Sequence, residues 1–368
     1  MELTRPPFRA DHVGSLLRPP ELRAAHEEHL NGRYRADELQ ALQDRCIRDV
    51  IAMQEAIGLH AITDGEFRRT SFHADFIGKL DGARAAGSSA PGSGGQFGPR
   101  AFEVTDRLRR TRPIGLDAFR FLKQQTRRTA KQTMPSPTML LRGGRGAVSR
   151  EAYPDLEEFH ADIVRVYREE LRELGEAGCS YVQLDDTNFA YLCDAKLRDT
   201  FRRWGYEPDE VPMRFARLIN AVLAERPPGM SAAIHLCRGN SAGQWAAEGA
   251  YEPIAEVLFN ALEVDAYFLE YDDARSGGFE PLRFFPRGAK KKIVLGLVSS
   301  KHGELEAKEL LRRRIDEAAC HVPLENLCLS PQCGFASTFR GNPLSADEQR
   351  RKLERVVEVA TEVWSSAK

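Results

Sequence analysis

The fold is decided by residues 156–186, LEEFHADIVRVYREELRELGEAGCSYVQLDD, in which a helical pattern leads into a strand pattern. Residues 156–176 repeat apolar side chains at the spacing of one helix face, which predicts an amphipathic helix. Residues 181–184 form a short apolar run that stops at two aspartates, as a buried strand does. A helix followed by such a strand is the repeating unit of a parallel α/β fold.

The same unit recurs along the chain. Eight short apolar runs end in polar residues, at 11–14, 61–63, 131–135, 181–184, 232–236, 266–269, 293–297 and 327–329. Amphipathic stretches lie between most of them, including 213–225, 304–319 and 346–363. Eight strands alternating with helices predict an α/β protein of the (β/α)8 TIM barrel class. We expect residues 1–368 to form a single barrel.

Residues 77–130 do not fit a minimal barrel, and we expect them to form an insertion between the second and third strands. Residues 81–100 are rich in Gly, Ala and Ser, which predicts a flexible loop. Residues 101–105 and 112–116 are predicted to form an inserted hairpin, followed by a helix over 116–128. The insertion is interpreted as a flap over the barrel mouth or a contact between copies in a homo-oligomer.

The insertion also concentrates basic side chains. A solvated face is the simplest interpretation, a site for an anionic substrate tail is the second, and nucleic-acid binding is the third. The whole chain carries 53 Lys+Arg against 54 Asp+Glu, which argues against a nucleic-acid binder. The basic residues are Arg107, Arg109, Arg110, Arg112, Arg120, Lys123, Arg127, Arg128 and Lys131.

Compartment signals point to the cytoplasm. The sequence contains no run of 18 apolar residues, so we expect no membrane span. The first ten residues are polar and broken by prolines, unlike a secretory signal. Seven cysteines cannot all pair within one chain, and reduced thiols are typical of a cytoplasmic protein.

Sulfur and imidazole ligands follow three of the predicted strands. The fifth run contains His235 and is followed by Cys237, and these two side chains point to the same side of a strand. A packed histidine beside a buried thiol is the structural alternative. Cys333 follows the eighth run and Glu270 follows the sixth, and strand ends converge on one face of a barrel. Together they match the ligand preference of a catalytic Zn2+ with one exchangeable position.

The ligand set indicates what such a zinc ion would do. Two thiolates make zinc electron-rich and therefore a poor activator of water. They suit it to a substrate thiol, which loses its proton on coordination to the metal. Zinc could then hold a thiolate nucleophile at neutral pH, well below the pKa of about 8.5 of a free thiol.

Acidic side chains follow two further runs. The second run is followed by Asp64 and Glu66, and the fourth by Asp185 and Asp186. The structural alternatives are helix N-caps for Asp64 and Asp186, and an ion pair between Glu66 and Arg69. The functional interpretation is that Glu66 and Asp185 place negative charge near the metal and bind a substrate ammonium group.

The first run ends in Asp11-His12-Val13-Gly14-Ser15. A glycine at this position lets backbone N–H groups approach a carboxylate closely. Combined with the two acids and the metal ligands, Gly14 and Ser15 predict a pocket for an α-amino acid that carries a thiol.

These segments resemble the catalytic domain of cobalamin-independent methionine synthase and its single-barrel relatives, over about residues 8–363. The family is a (β/α)8 barrel that transfers a methyl group to homocysteine in methionine biosynthesis. The resemblance implies that the zinc ligands are His235, Cys237, Glu270 and Cys333. It also implies that the homocysteine amino and carboxylate groups are held by Gly14, Ser15, Glu66 and Asp185.

The sequence departs from the family on the side of the methyl donor. Full-length synthases carry two barrels, whereas 368 residues hold one. The family histidine beside the folate has no equivalent in register in residues 297–302, LVSSKH, and the tryptophan expected after the third strand is absent at residues 137–140, PTML. The donor therefore stays open between a folate, methylcobalamin, another methyl compound and a partner protein.

Two other functions and several assignments remain open. An epoxyalkane:coenzyme M type of thiol alkyltransferase would need cations for a sulfonate, which Arg18 and Arg238 could supply. A non-catalytic zinc-binding barrel is the third hypothesis. The candidate general acids are His12, His73 and His302. The remaining cysteines are interpreted as packing residues: Cys46, Cys179, Cys193, Cys320 and Cys328.

Overall fold

The computed structural model describes residues 4–85, 102–240 and 242–365. Within these residues most strands are followed by helices. The strands are β1 Ala61–Ile62, β2 Asp81–Ala85, β3 Phe102–Arg109, β4 Thr129–Ala130, β5 Gln132–Pro135, β6 Tyr181–Asp186, β7 Ser231–Leu236, β8 Ala266–Glu270, β9 Lys292–Val298 and β10 Leu327–Pro331. The helices are α1 Pro20–Leu30, α2 Ala36–Ile57, α3 Ala74–Ile77, α4 Leu116–Gln125, α5 Leu156–Glu176, α6 Asn188–Tyr191, α7 Ala195–Arg203, α8 Val211–Leu223, α9 Glu252–Asn260, α10 Lys308–Ala319 and α11 Ala346–Ser365.

A six-stranded parallel sheet forms the centre of the protein. Its strands are hydrogen-bonded in the order β10-β9-β8-β7-β6-β5, so each strand pairs with its neighbours in the chain. All residues of β6 and β8 are buried, as expected for a parallel sheet covered on both faces. The carboxyl ends of these strands therefore meet at one edge, where the predicted ligands lie.

Two further parallel contacts extend this arrangement. Strand β1 pairs with β4, which is separated from β5 only by Lys131. At the other side, Ala10 forms a parallel bridge with Leu329 of β10. The second to eighth predicted runs therefore correspond to strands, and the alternation of strands with helices is confirmed.

The first predicted run, residues 11–14, is not a strand. The backbone N–H of Asp11 donates to the carbonyl of Leu329 at 3.0 Å, but the next N–H, that of His12, donates to the Asp11 carboxylate at 2.8 Å. Gly14 then adopts a φ of 133°, which ends any extended pairing. A side chain that satisfies its own backbone competes with a strand ladder, and here it replaces the ladder.

The predicted hairpin has one wrong arm. Strand β3 pairs antiparallel with β2, within the segment expected to be a loop, rather than with residues 112–116. Pro113 cannot donate to a ladder, and the N–H groups of Ile114 and Gly115 donate to the Glu170 carboxylate instead. Helix α4 then begins at Leu116 and contacts α2 and α5. The rest of the predicted loop, residues 86–101, lies outside the described residues.

Several of the clustered basic side chains form ion pairs with helix α5. Arg110 contacts Glu170 and Glu173 at 2.6 Å each and is nearly fully buried, and Arg107 contacts Asp162 at 2.9 Å. Lys131 is completely buried, outside any solvated face. The basic side chains that remain exposed are Arg109, Arg112, Arg120, Lys123 and Arg127. Arg107 and Arg110 thus join the insertion to α5, whereas the five exposed side chains agree with the solvated face that was the simplest interpretation.

The helices and the cysteines bear on the expected absence of a membrane span and on the expected reduced thiols. No helix among the described residues has the length and apolar character needed to cross a bilayer. All seven cysteines are free thiols. Cys46, Cys179, Cys193 and Cys328 are buried as predicted, whereas Cys320 is exposed near the end of α10, so its assignment as a packing residue is wrong.

Candidate active site

Four potential metal ligands meet at the carboxyl edge of the sheet. His235 lies in β7, Glu270 ends β8, and Cys237 and Cys333 follow β7 and β10. One ligand atom from each side chain lies within 4.8 Å of the other three, and all four residues are buried. The two sulfur atoms are 3.4 Å apart. The structure therefore brings together the four residues that the resemblance named.

The chemistry of this cluster fits Zn2+. Neither ring nitrogen of His235 has a hydrogen-bond partner, although both are buried, and such orphaned groups need an explanation. A hydrogen bond from Cys237 lowers the pKa of the Cys333 thiol well below its ordinary value. One nitrogen, two sulfurs and one carboxylate oxygen are four donors of the kinds that Zn2+ binds. A cation at this point would satisfy the imidazole and neutralise the thiolates.

The carboxylate of Glu270 is oriented by two further contacts. Its oxygens accept hydrogen bonds from the backbone N–H of Arg238 at 3.1 Å and from the Arg275 guanidinium at 2.9 Å. Burial raises the pKa of Glu270 to about 7, and the nearby Cys333 adds to this increase. Contacts of this kind orient metal ligands in known sites, so Glu270 is held in place before any ion binds.

A small cavity opens beside the ligands and contains most of the residues predicted to bind the substrate. Its walls include Ser15, Glu66, Asp185, His235, Cys237 and Cys333. Residues from five separate sequence motifs therefore face one space. The cavity places two carboxylates and a hydroxyl beside the metal ligands, as a pocket for a thiol-bearing amino acid requires.

Glu66 has an unusual backbone that fits a functional position. It adopts a φ of 61°, a left-handed conformation that is rare for residues other than glycine and costs about 1–3 kcal/mol. Its side chain is buried, accepts a hydrogen bond from the Thr133 hydroxyl at 2.7 Å, and lies 3.4 Å from Arg69. The predicted ion pair with Arg69 is thus present, while the carboxylate still lines the cavity.

Asp185 is the second carboxylate of the cavity. Burial raises its pKa to about 7, and the negative charge of Glu66 contributes to the increase. Its side chain accepts a hydrogen bond from Gln183 at 2.7 Å. Two buried carboxylates that line one cavity form a site in which a bound cation is favourable.

Gly14 and Ser15 occupy crowded positions next to these acids. A Cβ atom on Gly14 would lie 2.6 Å from Cγ2 of Thr133, and its φ of 133° also disfavours other residues. The Ser15 hydroxyl accepts a hydrogen bond from Ala336 at 3.4 Å, and a Cβ atom on Gly334 would meet it at 2.0 Å. A side chain at Gly14 or at Gly334 would therefore prevent the close approach of these loops.

The remaining acids have structural roles. Asp186 accepts a hydrogen bond from the backbone N–H of Phe189 at 2.9 Å, at the start of α6, and also one from the Thr138 hydroxyl. The N-cap residue of α6 is Thr187, so the N-cap alternative is wrong for Asp186, although its carboxylate bonds to an N–H of the first turn. Asp64 accepts a hydrogen bond from the N–H of Glu66 at 2.8 Å in a turn rather than at a helix.

The three candidate general acids are not gathered around the cavity. The Nε2–H of His12 donates a hydrogen bond to the carbonyl of Ala61 at 3.1 Å, and burial lowers the pKa of His12 to about 4. Burial, with a contribution from Arg142, lowers the pKa of His73 to about 3. His302 is exposed. The general-acid role of these histidines stays a prediction, and the first two are uncharged at neutral pH.

Several residues of the site were missed in the sequence. Thr133 holds Glu66, Gln183 holds Asp185, and Thr187 lines the cavity. Thr133 and Gln183 are polar residues within apolar strand runs, and that contrast is the signal that could have identified them. Thr187 follows two aspartates in a loop and has no such signal.

A family model describes the residues that build this site. The model for the catalytic domain of cobalamin-independent synthases matches residues 8–362. The chain belongs to this family. The sequence is 42% identical to the Bacillus subtilis protein YxjH over 364 residues, which cover 97% of this chain and 95% of YxjH. The suspected family membership is thereby confirmed.

Other members of the cobalamin-independent synthase family support the same assignment. The Pyrococcus horikoshii methionine synthase is 25% identical over 332 residues, which cover 88% of this chain and 87% of that enzyme. A solved structure from Listeria monocytogenes, assigned as a vitamin-B12 independent methionine synthase, superposes with a TM-score of 0.79 at 35% identity and covers 98% of this chain and 99% of that chain. The α/β fold is therefore shared over nearly the full length.

Proposed function

We propose that this protein is a zinc-dependent methyltransferase that converts homocysteine to methionine. The observation that carries the proposal is the buried cluster of His235, Cys237, Glu270 and Cys333 beside a cavity lined by two carboxylates. A storage site for zinc would not need an ammonium-binding pocket. The Pyrococcus horikoshii relative is named methionine synthase, which is consistent with this activity.

The four clustered residues would hold the zinc ion. Zinc, when bound, would lower the pKa of a substrate thiol. Glu270 is the member of the set that two neighbouring groups keep in position, through the N–H of Arg238 and the guanidinium of Arg275. The surrounding burial excludes water from the thiols, which strengthens every charge interaction at this point.

The protein's own polar groups orient the acceptor. Glu66 and Asp185 bind the ammonium group, and the charge of that group offsets the repulsion between the two carboxylates. The Ser15 hydroxyl and the backbone near Gly14 face the carboxylate of the amino acid. Holding acceptor and donor in line supplies about 7–11 kcal/mol of the barrier in favourable cases.

A sulfonate thiol fits this cavity less well. Arg18 donates its hydrogen bonds to the carbonyls of Glu66 and Arg69, at the short end of hydrogen-bond distances. Arg238 donates to the hydroxyl of Tyr251 at 2.7 Å and to a backbone carbonyl. Both arginines are thus occupied by the protein, and the charged groups that face the cavity are acids. The coenzyme M type of reaction is therefore the second candidate.

We also propose that the parallel ladders close into one eight-stranded barrel spanning 1–368, with 77–130 as its insertion. Leu16 donates to the carbonyl of Gly65 at 3.1 Å, and the Thr63 hydroxyl donates to the carbonyl of Gly14 at 2.7 Å. These bonds join the first run to the second, while Ala10 joins it to β10. Such a ring would direct all the ligand-bearing ends to one mouth.

A thiol and donor screen tests the proposed activity. The zinc-loaded protein is incubated with homocysteine or mercaptoethanesulfonate and with each of several methyl donors, and the products are identified by mass spectrometry. The proposal expects methionine from homocysteine and no product from the sulfonate. Product from the sulfonate alone would favour the second candidate. If homocysteine gives no product and releases no heat of binding in a calorimetric titration, a non-catalytic zinc protein is favoured.

A further inference from the structure

Gln183 connects two parts of the cavity that the proposed function assigns to the acceptor amino acid. Its side chain lies in β6 and is completely buried. The amide nitrogen Nε2 donates one hydrogen bond to the carbonyl of Val13 at 2.6 Å and a second to Oδ1 of Asp185 at 2.7 Å. Both partners offer oxygen acceptors, so the amide must present its nitrogen to both. Val13 and Asp185 line the cavity, whereas Gln183 is not part of the cavity wall.

The loop of residues 12–15 has all of its carbonyl groups bonded to other parts of the protein. Each of the four carbonyls accepts a hydrogen bond, at distances from 2.5 to 2.9 Å. The donors come from four separate segments of the chain: Lys131, Gln183, Thr63 and Phe335. The loop is thus held in one arrangement, and Gln183 supplies one of the four contacts that hold it.

The backbone N–H groups of the same loop are left for a ligand. Those of Val13, Gly14 and Ser15 donate to no acceptor among the described residues, although all three residues are buried. Buried N–H groups nearly always have a partner, and successive free N–H groups bind anions. A carboxylate in the cavity would supply the missing acceptor, in agreement with the role proposed for this loop.

Gln183 is the link between this loop and the acids of the cavity. Asp185 accepts its hydrogen bond from Gln183, whereas Glu66 accepts one from Thr133 of a different strand. In the part of the chain that the structure describes, no other side chain is hydrogen-bonded both to the loop and to one of the two acids. The distance between the free N–H groups and the Asp185 carboxylate is therefore fixed most directly by this one amide.

Packing alone does not explain a glutamine at this position. Its Oε1 atom is buried and accepts no hydrogen bond from the described residues, and such an atom destabilises the folded protein. Its neighbours in β6, Val182 and Leu184, are apolar and completely buried. A methionine has nearly the same length and would avoid the unsatisfied acceptor. The two hydrogen bonds that the amide donates are thus what distinguishes glutamine from an apolar side chain here.

We infer that Gln183 sets the spacing between the loop of residues 12–15 and Asp185, and so selects thiols that carry an ammonium and a carboxylate group on one carbon atom. The inference rests on the proposed function, because it takes the cavity to be the site of the acceptor. The two N–H bonds of one planar amide diverge at a fixed angle, so the loop and the acid cannot separate without the loss of a hydrogen bond. Gln183 takes no part in the bond changes of the transfer and is a positioning residue that acts through Val13 and Asp185.

The test compares homocysteine with two analogues that each lack one charged group. The analogue 3-mercaptopropylamine keeps the ammonium group, and 4-mercaptobutanoate keeps the carboxylate. Calorimetry measures the affinity of each thiol for the zinc-loaded wild type, Gln183→Met and Gln183→Asn, and an analogue that binds weakly is measured by its competition with homocysteine. Methionine removes both donors, and asparagine keeps them on a side chain that is one methylene shorter. The matched control is Gln43→Met, which replaces a buried glutamine of α2 outside the cavity.

Both Gln183 variants are expected to bind homocysteine about tenfold more weakly or worse, and to bind each analogue within about threefold of the wild type. An analogue engages only one part of the cavity, so its binding does not depend on the distance between the two parts. Gln43→Met should match the wild type for all three thiols. Zinc per chain and melting temperature are measured on the same samples, and Gln183→Asn carries the comparison if Gln183→Met does not fold.

The pattern of affinities identifies the results that would overturn the inference. Equal losses for homocysteine and 3-mercaptopropylamine, with 4-mercaptobutanoate unchanged, would mean that Gln183 only holds Asp185. Equal losses for homocysteine and 4-mercaptobutanoate, with the amine unchanged, would mean that it only holds the loop. Equal losses for all three thiols, or no loss for any of them, would mean that Gln183 does not set a spacing.

The same measurements separate this inference from the proposed function. If homocysteine binds but no methyl donor yields methionine, the proposed activity fails, and the three affinities still decide the role of Gln183. If methionine is formed and the three affinities fall equally, the activity stands and the inference fails. A zinc-loaded wild type that binds no homocysteine contradicts both.

Discussion

The sulfur atoms of Cys237 and Cys333 lie 3.4 Å apart, although 96 residues separate them in the chain. The parallel sheet produces this proximity, because β7 and β10 end at the same edge and each cysteine lies one or two residues after its strand. His235 and Glu270 reach the same point from β7 and β8. The site therefore depends on three strand ends and their relative register.

Replacing either cysteine should remove the metal. We expect Cys237→Ser and Cys333→Ser to retain less than about a tenth of the wild-type zinc, since loss of even an outer partner of a metal ligand weakens binding 10–100-fold. Zinc per chain is measured by plasma mass spectrometry after dialysis. The control is Cys320→Ser, because that thiol is exposed and follows the last residue of α10. This variant should keep its zinc. Full occupancy in either active-site variant would contradict the ligand assignment.

Removing one carboxylate of the cavity should weaken homocysteine binding and spare the metal. We expect Glu66→Gln and Asp185→Asn to raise the homocysteine KM about 10- to 100-fold, because a hydrogen bond to a charged group contributes roughly 1.5–3 kcal/mol. Steady-state kinetics and zinc content are measured on the same samples. Glu28→Gln, an exposed change, is the control. Unchanged KM values in both variants would show that the acids do not contact the acceptor.

The crowding at Gly14 gives a prediction about stability. Gly14→Ala should destabilise the protein more than Gly32→Ala, since both positions have positive φ but only Gly14 would meet a neighbour, Cγ2 of Thr133 at 2.6 Å. The left-handed backbone alone costs about 1–2 kcal/mol. Adding Thr133→Ser, which removes Cγ2 and keeps the hydroxyl that holds Glu66, should restore part of the loss. The free energy of unfolding is measured in urea for the wild type, the two single variants and the double variant. Equal losses of this free energy in Gly14→Ala and Gly32→Ala would refute the steric argument.

The buried His12 should make the fold sensitive to acid. Its pKa falls from 6.5 to about 4 in the folded protein, so between these values the unfolded chain binds a proton that the folded chain does not. Stability from this group is therefore complete above pH 6.5 and is lost as the pH falls toward 4, by about 2 kcal/mol at pH 5. The difference in unfolding free energy between wild type and His12→Gln should shrink by this amount from pH 7.5 to 5. A difference in unfolding free energy that does not change with pH would contradict the lowered pKa of His12.

The sequence predicted the α/β alternation because strand and helix periodicities are local properties. Residues 156–176 show one helical face, and the structure places α5 at the same bounds. The four candidate metal ligands could also be predicted, since each lies in or just after an apolar run and parallel strand ends meet. Residues 11–14 failed as a strand because the Asp11 side chain bonds to the next backbone N–H, which apolar patterning does not show.

Long-range contacts account for the remaining misses. The pairing of β2 with β3 joins segments on either side of residues 86–101, and no local pattern specifies such a partner. Thr133 supports Glu66 from a different strand, 67 residues away.

The most direct test of the central claim is zinc K-edge X-ray absorption of the purified protein, before and after addition of homocysteine. The account predicts a metal bound by two sulfur atoms with nitrogen and oxygen ligands, and a gain of one sulfur ligand when homocysteine is present. Cys320→Ser, which leaves the four candidate ligands intact, is the control and should give the same spectra as the wild type. A zinc spectrum that does not change with homocysteine would contradict the claim that this site activates a substrate thiol.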